Sequence, residues 1–194
     1  VSGDILLTEE AAGGDLNIVN LRNNAPGGPL NGRIAVAVEA GNLILVDAGF
    51  VPTNGLIGVF TLGGDVVLES AGTLSVNQQI NAGTGDVRLV ANGAVTQSAF
   101  SIITADELGV RQQSVVADTD IELGSVNDVN RFAAFNASNR GTVVFNDVDD
   151  LTIDTVSAQI VCEANFLVTI GVQTTFTGAA TQGDVVTDGD ILIQ

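Results

Sequence analysis

Aliphatic residues occupy alternate positions in short runs along this chain, and most runs begin just after a glycine joined to aspartate or asparagine. Two runs are near copies. Gly64-Asp-Val-Val-Leu-Glu-Ser-Ala-Gly-Thr-Leu-Ser-Val and Gly85-Asp-Val-Arg-Leu-Val-Ala-Asn-Gly-Ala-Val-Thr-Gln start 21 positions apart. Each opens on Gly-Asp, continues as aliphatic–x–Leu, breaks at a glycine (Gly72, Gly93) and resumes its alternation. Alternation over four to six residues predicts strands. Self-similarity at this spacing predicts a solenoid, in which each repeat buries its apolar face against the next. The matched positions Val66, Leu68, Val87 and Leu89 are then expected to point inward and to stack on one another.

The same openings recur elsewhere. Gly3-Asp4-Ile-Leu-Leu, Gly14-Asp15-Leu-Asn-Ile-Val, Gly41-Asn42-Leu-Ile-Leu and Asp118-Thr-Asp-Ile-Glu-Leu123 each predict a strand. Asn20–Gly32 carries Pro26 and Pro29 and reads as a loop, with 23–31 bulging from the repeat. Pro52 and Asn54-Gly55 read as a corner before Leu56–Phe60. Ala105–Leu108 has the composition of one helical turn. Gly141–Asn146 is expected to pair with Leu151–Val156, and Phe166–Ile170 and Gly183–Gln194 supply the last strands.

Three features favour a parallel coil over a sandwich. The period near 21 is not a hairpin spacing, Asn-Gly and Asp-Gly turns are few, and small aliphatics far outnumber the eight phenylalanines. The expected fold is therefore all-β: a parallel β-helix (β-solenoid) occupying 1–194 as one segment, with roughly nine rungs of about 21 residues. At each corner glycine would take positive φ without penalty, and aspartate would bond an amide within the turn.

Composition narrows the chemistry. Six arginines and no lysine stand against 23 acids, for a net charge of −17. Such a surface repels nucleic acid and anionic membranes. No apolar run approaches the roughly 20 residues of a membrane span. Val1 in first place points to a processed chain or a piece of a longer one. His, Lys, Tyr, Trp and Met are all missing, which closes imidazole and amine chemistry to the segment acting alone. Cys162, the one cysteine, lies in an alternating apolar stretch and reads as a small core residue.

The densest acidic group is Asp147, Asp149, Asp150 and Asp154. Carboxylates so grouped are candidate ligands for Ca²⁺, which takes six to eight oxygens. The segment lacks the glycine and terminal glutamate of an EF-hand loop, so a solvated corner is the default reading and no cofactor is expected. A polysaccharide-degrading enzyme is the least favoured reading: Arg88, Arg111, Arg131 and Arg140 could accompany clustered carboxylates, but no Trp or Tyr is present to platform sugar rings. Asn136-Ala-Ser138 matches the N-glycosylation triplet and reads as chance.

The two copies at Gly64 and Gly85 resemble repeats of filamentous-haemagglutinin-type adhesins. Ile103-Thr-Ala-Asp-Glu-Leu-Gly-Val and the block Asn127–Val156 are similar to giant repetitive bacterial surface proteins of that kind. The resemblance implies a right-handed coil, exported to the bacterial cell surface or the medium. On that basis the expected role is a structural stalk or filament segment, with an adhesin module binding glycan or protein as the alternative. Copies of the chain, or tandem units, are the expected partners. Ser2-Gly-Asp-Ile-Leu-Leu and Asp188-Gly-Asp-Ile-Leu-Ile match at an offset of 186 residues, which suggests a longer period continuing end to end.

Overall fold

The computed structural model describes residues 3–10, 13–26, 32–47, 58–116, 118–156, 179–181 and 191–194. Among them there is no helix; the chain winds through short strands that pair in parallel with strands one rung away. The first rung holds β1 (Ile5–Glu9), β2 (Leu16–Ile18) and β3 (Asn20–Pro26). The second holds β4 (Ile34–Val38), β5 (Leu43–Leu45) and β6 (Gly58–Leu62). The third holds β7 (Val66–Ser70), β8 (Leu74–Val76) and β9 (Ile80–Asn81). The fourth begins with β10 (Val87–Ala91) and β11 (Val95–Gln97). β12 (Ile103–Gln112) and β13 (Ile121–Asn136) then run on round corners and serve two rungs each. β14 (Val143–Asp147), β15 (Thr152–Ile153), β16 (Ala179–Thr181) and β17 (Ile191–Ile193) complete the described strands.

Pairing sorts these strands onto three faces. The first stacks β1, β4, β7, β10, the end of β12, the end of β13 and, both on that last segment, β15 and β16. The second stacks β2, β5, β8, β11, the start of β13, β14 and β17. The third stacks β3, β6, β9, the start of β12 and the middle of β13. This is a solenoid-like stack of parallel strands.

Alternation puts one side of every strand inside. Val66 aligns with Val87 and Leu68 with Leu89, and all four are fully buried. Leu108 and Val110 continue the same two columns. Phe132 and Phe145, on different faces, stack their rings inside at 4.0 Å between centroids. The spacing of 21 holds where Val66 meets Val87 and Val87 meets Leu108. Elsewhere it is longer: Ile34 meets Val66 and Ile5 meets Ile34. The described residues therefore supply seven levels on the first face, where a uniform period of 21 predicts roughly nine.

Four local readings are corrected. Residues 20–26 form β3, not a loop; buried Asn23 donates from Nδ2 to the Gly3 and Arg33 carbonyls, and Pro26 enters the ladder only after a register shift. The remainder of 23–31 up to Asn31 lies outside the described residues, as do Cys162, Phe166–Ile170 and the Pro52–Gly55 corner. Ala105–Leu108 is strand, held by pairing to neighbours on both sides. β14 and β15 do not pair with each other; both pair with β13. Finally, Ile5 pairs with Ile34 on the first face, whereas Ile191 pairs with Val143 on the second. Ile5 and Ile191, matched at an offset of 186, thus stand on different faces, so that offset is not a whole number of rungs.

The corners explain why the motif recurs on more than one face. Their aspartates reach the next rung rather than their own turn. Asp65 Oδ1 accepts the Asp86 amide at 2.9 Å, Asp120 Oδ1 accepts Thr142 at 2.7 Å, and Asp15 Oδ1 accepts Asn42 at 2.9 Å. Asn42 Oδ1 in turn accepts the Thr73 amide at 2.8 Å. Glycine is needed chiefly for close approach. Gly85 does not have positive φ; a Cβ there would lie 2.6 Å from the Gly64 carbonyl oxygen. Gly41 combines φ +100 with a neighbouring carbonyl, Gly14 O, 2.5 Å from its would-be Cβ. Gly85→Ala is therefore expected to cost about 2–3 kcal/mol in urea unfolding. Gly124→Ala, whose nearest neighbour is Val144 Cγ1 at 3.8 Å, is expected to stay within about 0.5 kcal/mol.

Candidate functional site

The four candidate Ca²⁺ ligands all lie among the described residues, at the end of β14 and beyond it. Asp147 is half-buried and its Oδ1 accepts the Val129 amide at 3.2 Å. Asp149, Asp150 and Asp154 are exposed, and Asp154 Oδ1 accepts the Thr155 amide at 2.7 Å. Among the described residues no three acidic side chains come together to hold a metal ion. Burial raises the Asp147 carboxyl above the ordinary carboxylate value; the Val129 and Asp149 amides oppose this, and the Asp149 and Asp128 charges add to it.

Two polar assemblies that the sequence did not single out are better built. The first fills the corner between the second and third faces. Asn127 is fully buried there, on the inward side of β13. Its Nδ2 donates to the Leu123, Ser125 and Asn146 carbonyls at 3.2, 2.9 and 3.0 Å. Its Oδ1 accepts from Gln97 Nε2 at 2.7 Å and from the Ile103 amide at 3.1 Å. Ser101 Oγ donates to the Val76 carbonyl at 2.7 Å, carrying the assembly one rung further. Every polar atom of the Asn127 amide has a partner, so this interior network rigidifies the corner instead of offering a site.

The second lies on the outward side of the first face. Arg88 sits between Val87 and Leu89 in β10 and is fully buried. Its guanidinium donates to Glu107 Oε2 at 2.9 Å and to the Val87 and Glu107 carbonyls at 3.0 and 3.1 Å. Asp86 Oδ2 lies 3.5 Å away, and Arg131 Nη1 reaches Glu107 Oε1 at 2.8 Å. One glutamate thus joins arginines from two rungs. Beside them Ala35, Ala37 and Val67 form a small outward cluster, all buried. The visible signal was an arginine inside an aliphatic strand, with an acid two positions earlier and Asp106-Glu107 one repeat later.

Burial dominates the electrostatics of this cluster. It lowers the Arg88 pKa, against the pull of Asp86 and Glu107. It pushes the Asp86 carboxyl up to about 6; Arg88 opposes the shift, and Asp65, Glu107 and Asp106 reinforce it. Asp65 and Glu69 are raised as well, with burial the leading cause in both. Such shifts mark functional sites and structural ion networks alike. Asp65 and Asp86 are engaged with backbone and arginine, as in a structural network, whereas the buried Glu69 Oε2 has no hydrogen-bond partner among the described residues.

No protein-family model, curated protein or solved structure matches the chain. Among the described residues no helix is long and apolar enough to cross a membrane.

Two outcomes follow. Asn127→Ala removes the acceptor of the Ile103 amide and one of the partners of the Gln97 side chain, which keeps the Ser101 carbonyl and the Ser125 amide, and is expected to lower unfolding free energy by about 2–4 kcal/mol, read by urea titration. Secondly, a carboxyl with a raised folded-state pKa binds its proton more tightly folded than unfolded. Between its ordinary value and about 6, Asp86 is protonated in the fold and ionised in the unfolded chain, so stability falls as pH rises through that window. Asp65, Glu69 and Asp147 act in the same direction. The urea midpoint is therefore expected to be higher near pH ~4.5 than near pH ~7, with a smaller difference in Asp86→Asn.

Proposed function

We propose that this chain is a structural segment of an extended, right-handed parallel β-helix, serving as a stalk or filament part outside the cell, without a catalytic centre of its own. The observation that carries the proposal is the uninterrupted succession of parallel pairings, from β1 on the first rung to β17 on the last. A stack of this kind makes length. Right-handed winding is the sense that parallel crossover connections adopt. The exported, surface-bound setting rests on the resemblance of the repeats at Gly64 and Gly85.

Among the described residues β1 pairs with β4 alone and β17 with β14 alone, and we read both as strands that a further rung can extend. Edges of this kind are extended by further rungs, from the same polypeptide or from another copy. The acidic surface keeps neighbouring stacks apart, less so as salt rises. Negative-stain microscopy with solution scattering on the native material decides the matter. Thin rods with strands across the long axis are expected. Compact particles of single-chain size would overturn the proposal, as would turnover of a polysaccharide that is lost on replacing one particular carboxylate.

A further inference from the structure

One corner of the stack departs from the polar surface around it. Phe100 and Ile102 precede the third-face part of β12, Val126 stands at the same corner one rung on, and Val148 lies a further rung on, opposite Asp128 and two positions along from Val126. Side-chain and backbone bonds tie these rungs together: Ser125 Oγ donates to the Ala99 carbonyl, the Ile103 amide donates to Asn127 Oδ1, and the Val148 amide donates to the Asn127 carbonyl at 2.8 Å, which sets Val148 beside Asp128. All four apolar side chains face solvent, with Phe100 96% exposed and Ile102, Val126 and Val148 at 44%, 49% and 58%. Scattered exposed aliphatics need no explanation, but a group gathered at one corner of successive rungs does. With successive strands about 4.8 Å apart, Ile102 and Val126 stand one above the other and Val148 continues diagonally beside Asp128, a slanting ridge with the phenyl ring at one end.

Acids flank this ridge. Asp128 follows Val126 on the same outward side of β13, and Asp149 and Asp150 follow Val148; all three are exposed. The combination selects an occupant. A second copy of this chain would set these carboxylates against its own acidic surface, within a net charge of −17 on each chain. An anionic lipid surface is repelled for the same reason. The exposed apolar area is on the order of 400 Å², about half of what one partner contributes to a standard interface between folded proteins. It suits a short segment.

We propose that this corner is a docking ridge for a cationic polypeptide segment whose apolar side chains lie against Phe100, Ile102, Val126 and Val148 while its basic groups meet Asp128, Asp149 and Asp150. The ridge lies along the side of the stack, so its use is independent of whether the ends are extended. Affinity comes from covering the phenyl ring and its neighbours; choice of partner comes from the carboxylates.

The test uses the full chain and a labelled short peptide alternating arginine and leucine, followed by fluorescence anisotropy. Saturable binding to one site is expected. Phe100→Ser should weaken it about tenfold, as loss of an aromatic anchor does. The paired change Asp149→Asn and Asp150→Asn should weaken it too and flatten its salt dependence. Val116→Ser, at an exposed apolar residue on a different corner, should leave it unchanged. A glutamate–leucine peptide should not bind. The proposal fails if Phe100→Ser binds as the native chain does, if the aspartate changes have no effect, or if the glutamate–leucine peptide binds equally well. It also fails if sedimentation finds the chain associating with itself in a manner abolished by Phe100→Ser, since the occupant is then a second copy.

Discussion

The hydrogen bonds between neighbouring rungs set the terms for everything else in this molecule. Each strand must find its donors and acceptors one rung away, and backbones there lie about 4.8 Å apart. At the corners the approach is tighter and the ladder would break. The chain meets this with a two-residue device: a residue without a Cβ, so that the carbonyl below can come close, and an Asx side chain whose oxygen accepts the amide above. Gly64-Asp65 under Gly85-Asp86 is the clearest instance. Inside, Val, Ile and Leu columns follow from the resulting register. The Phe132–Phe145 pair fills one section of the interior with two stacked rings.

That device also marks what the sequence could and could not disclose. The strands at Gly64 and Gly85, their spacing and their inward residues were legible, because both corners and both strands repeat together. The face on which an opening lies was not. Glycine and aspartate serve any tight corner, so the two Gly-Asp-Ile-Leu sequences look alike although Ile5 and Ile191 stand on different faces. The inter-rung role of aspartate was hidden as well, since an amide 21 residues away is invisible to a reading by local turns. β12 was misread over Ala105–Leu108 because helix-compatible residues there are held as strand by pairing on both sides. Asn127 gave no signal of its own: buried asparagines become recognisable only when their partners, here Gln97 and Ile103, are known.

The polar clusters show how little a list of acidic residues says about chemistry. Asp147, Asp149, Asp150 and Asp154 are close in sequence, yet most of them face water separately. Asp86 and Glu107, a repeat apart, are gathered round one buried guanidinium. Desolvation, not proximity of charge, is the first cause of each raised carboxyl, and it follows from where the strands put the side chains. A chain with few cations thus spends Arg88 and Arg131 on holding its rungs together.

The direction of the inter-rung bonds has a mechanical consequence. They run along the stack, from each rung to the next, and no described strand pairs beyond its immediate neighbours. Tension applied between the two ends pulls along these bonds and bears on them in series, so the weakest junction gives way first and the load passes to the next. Such a molecule yields by peeling single rungs, each releasing a length of chain in proportion to its residues, whereas a sheet pulled along its strands resists by sharing the load across all its bonds. The long junction between Ile34 and Val66 would pay out more chain than the short one between Val66 and Val87. Unequal rungs thus give unequal steps of extension.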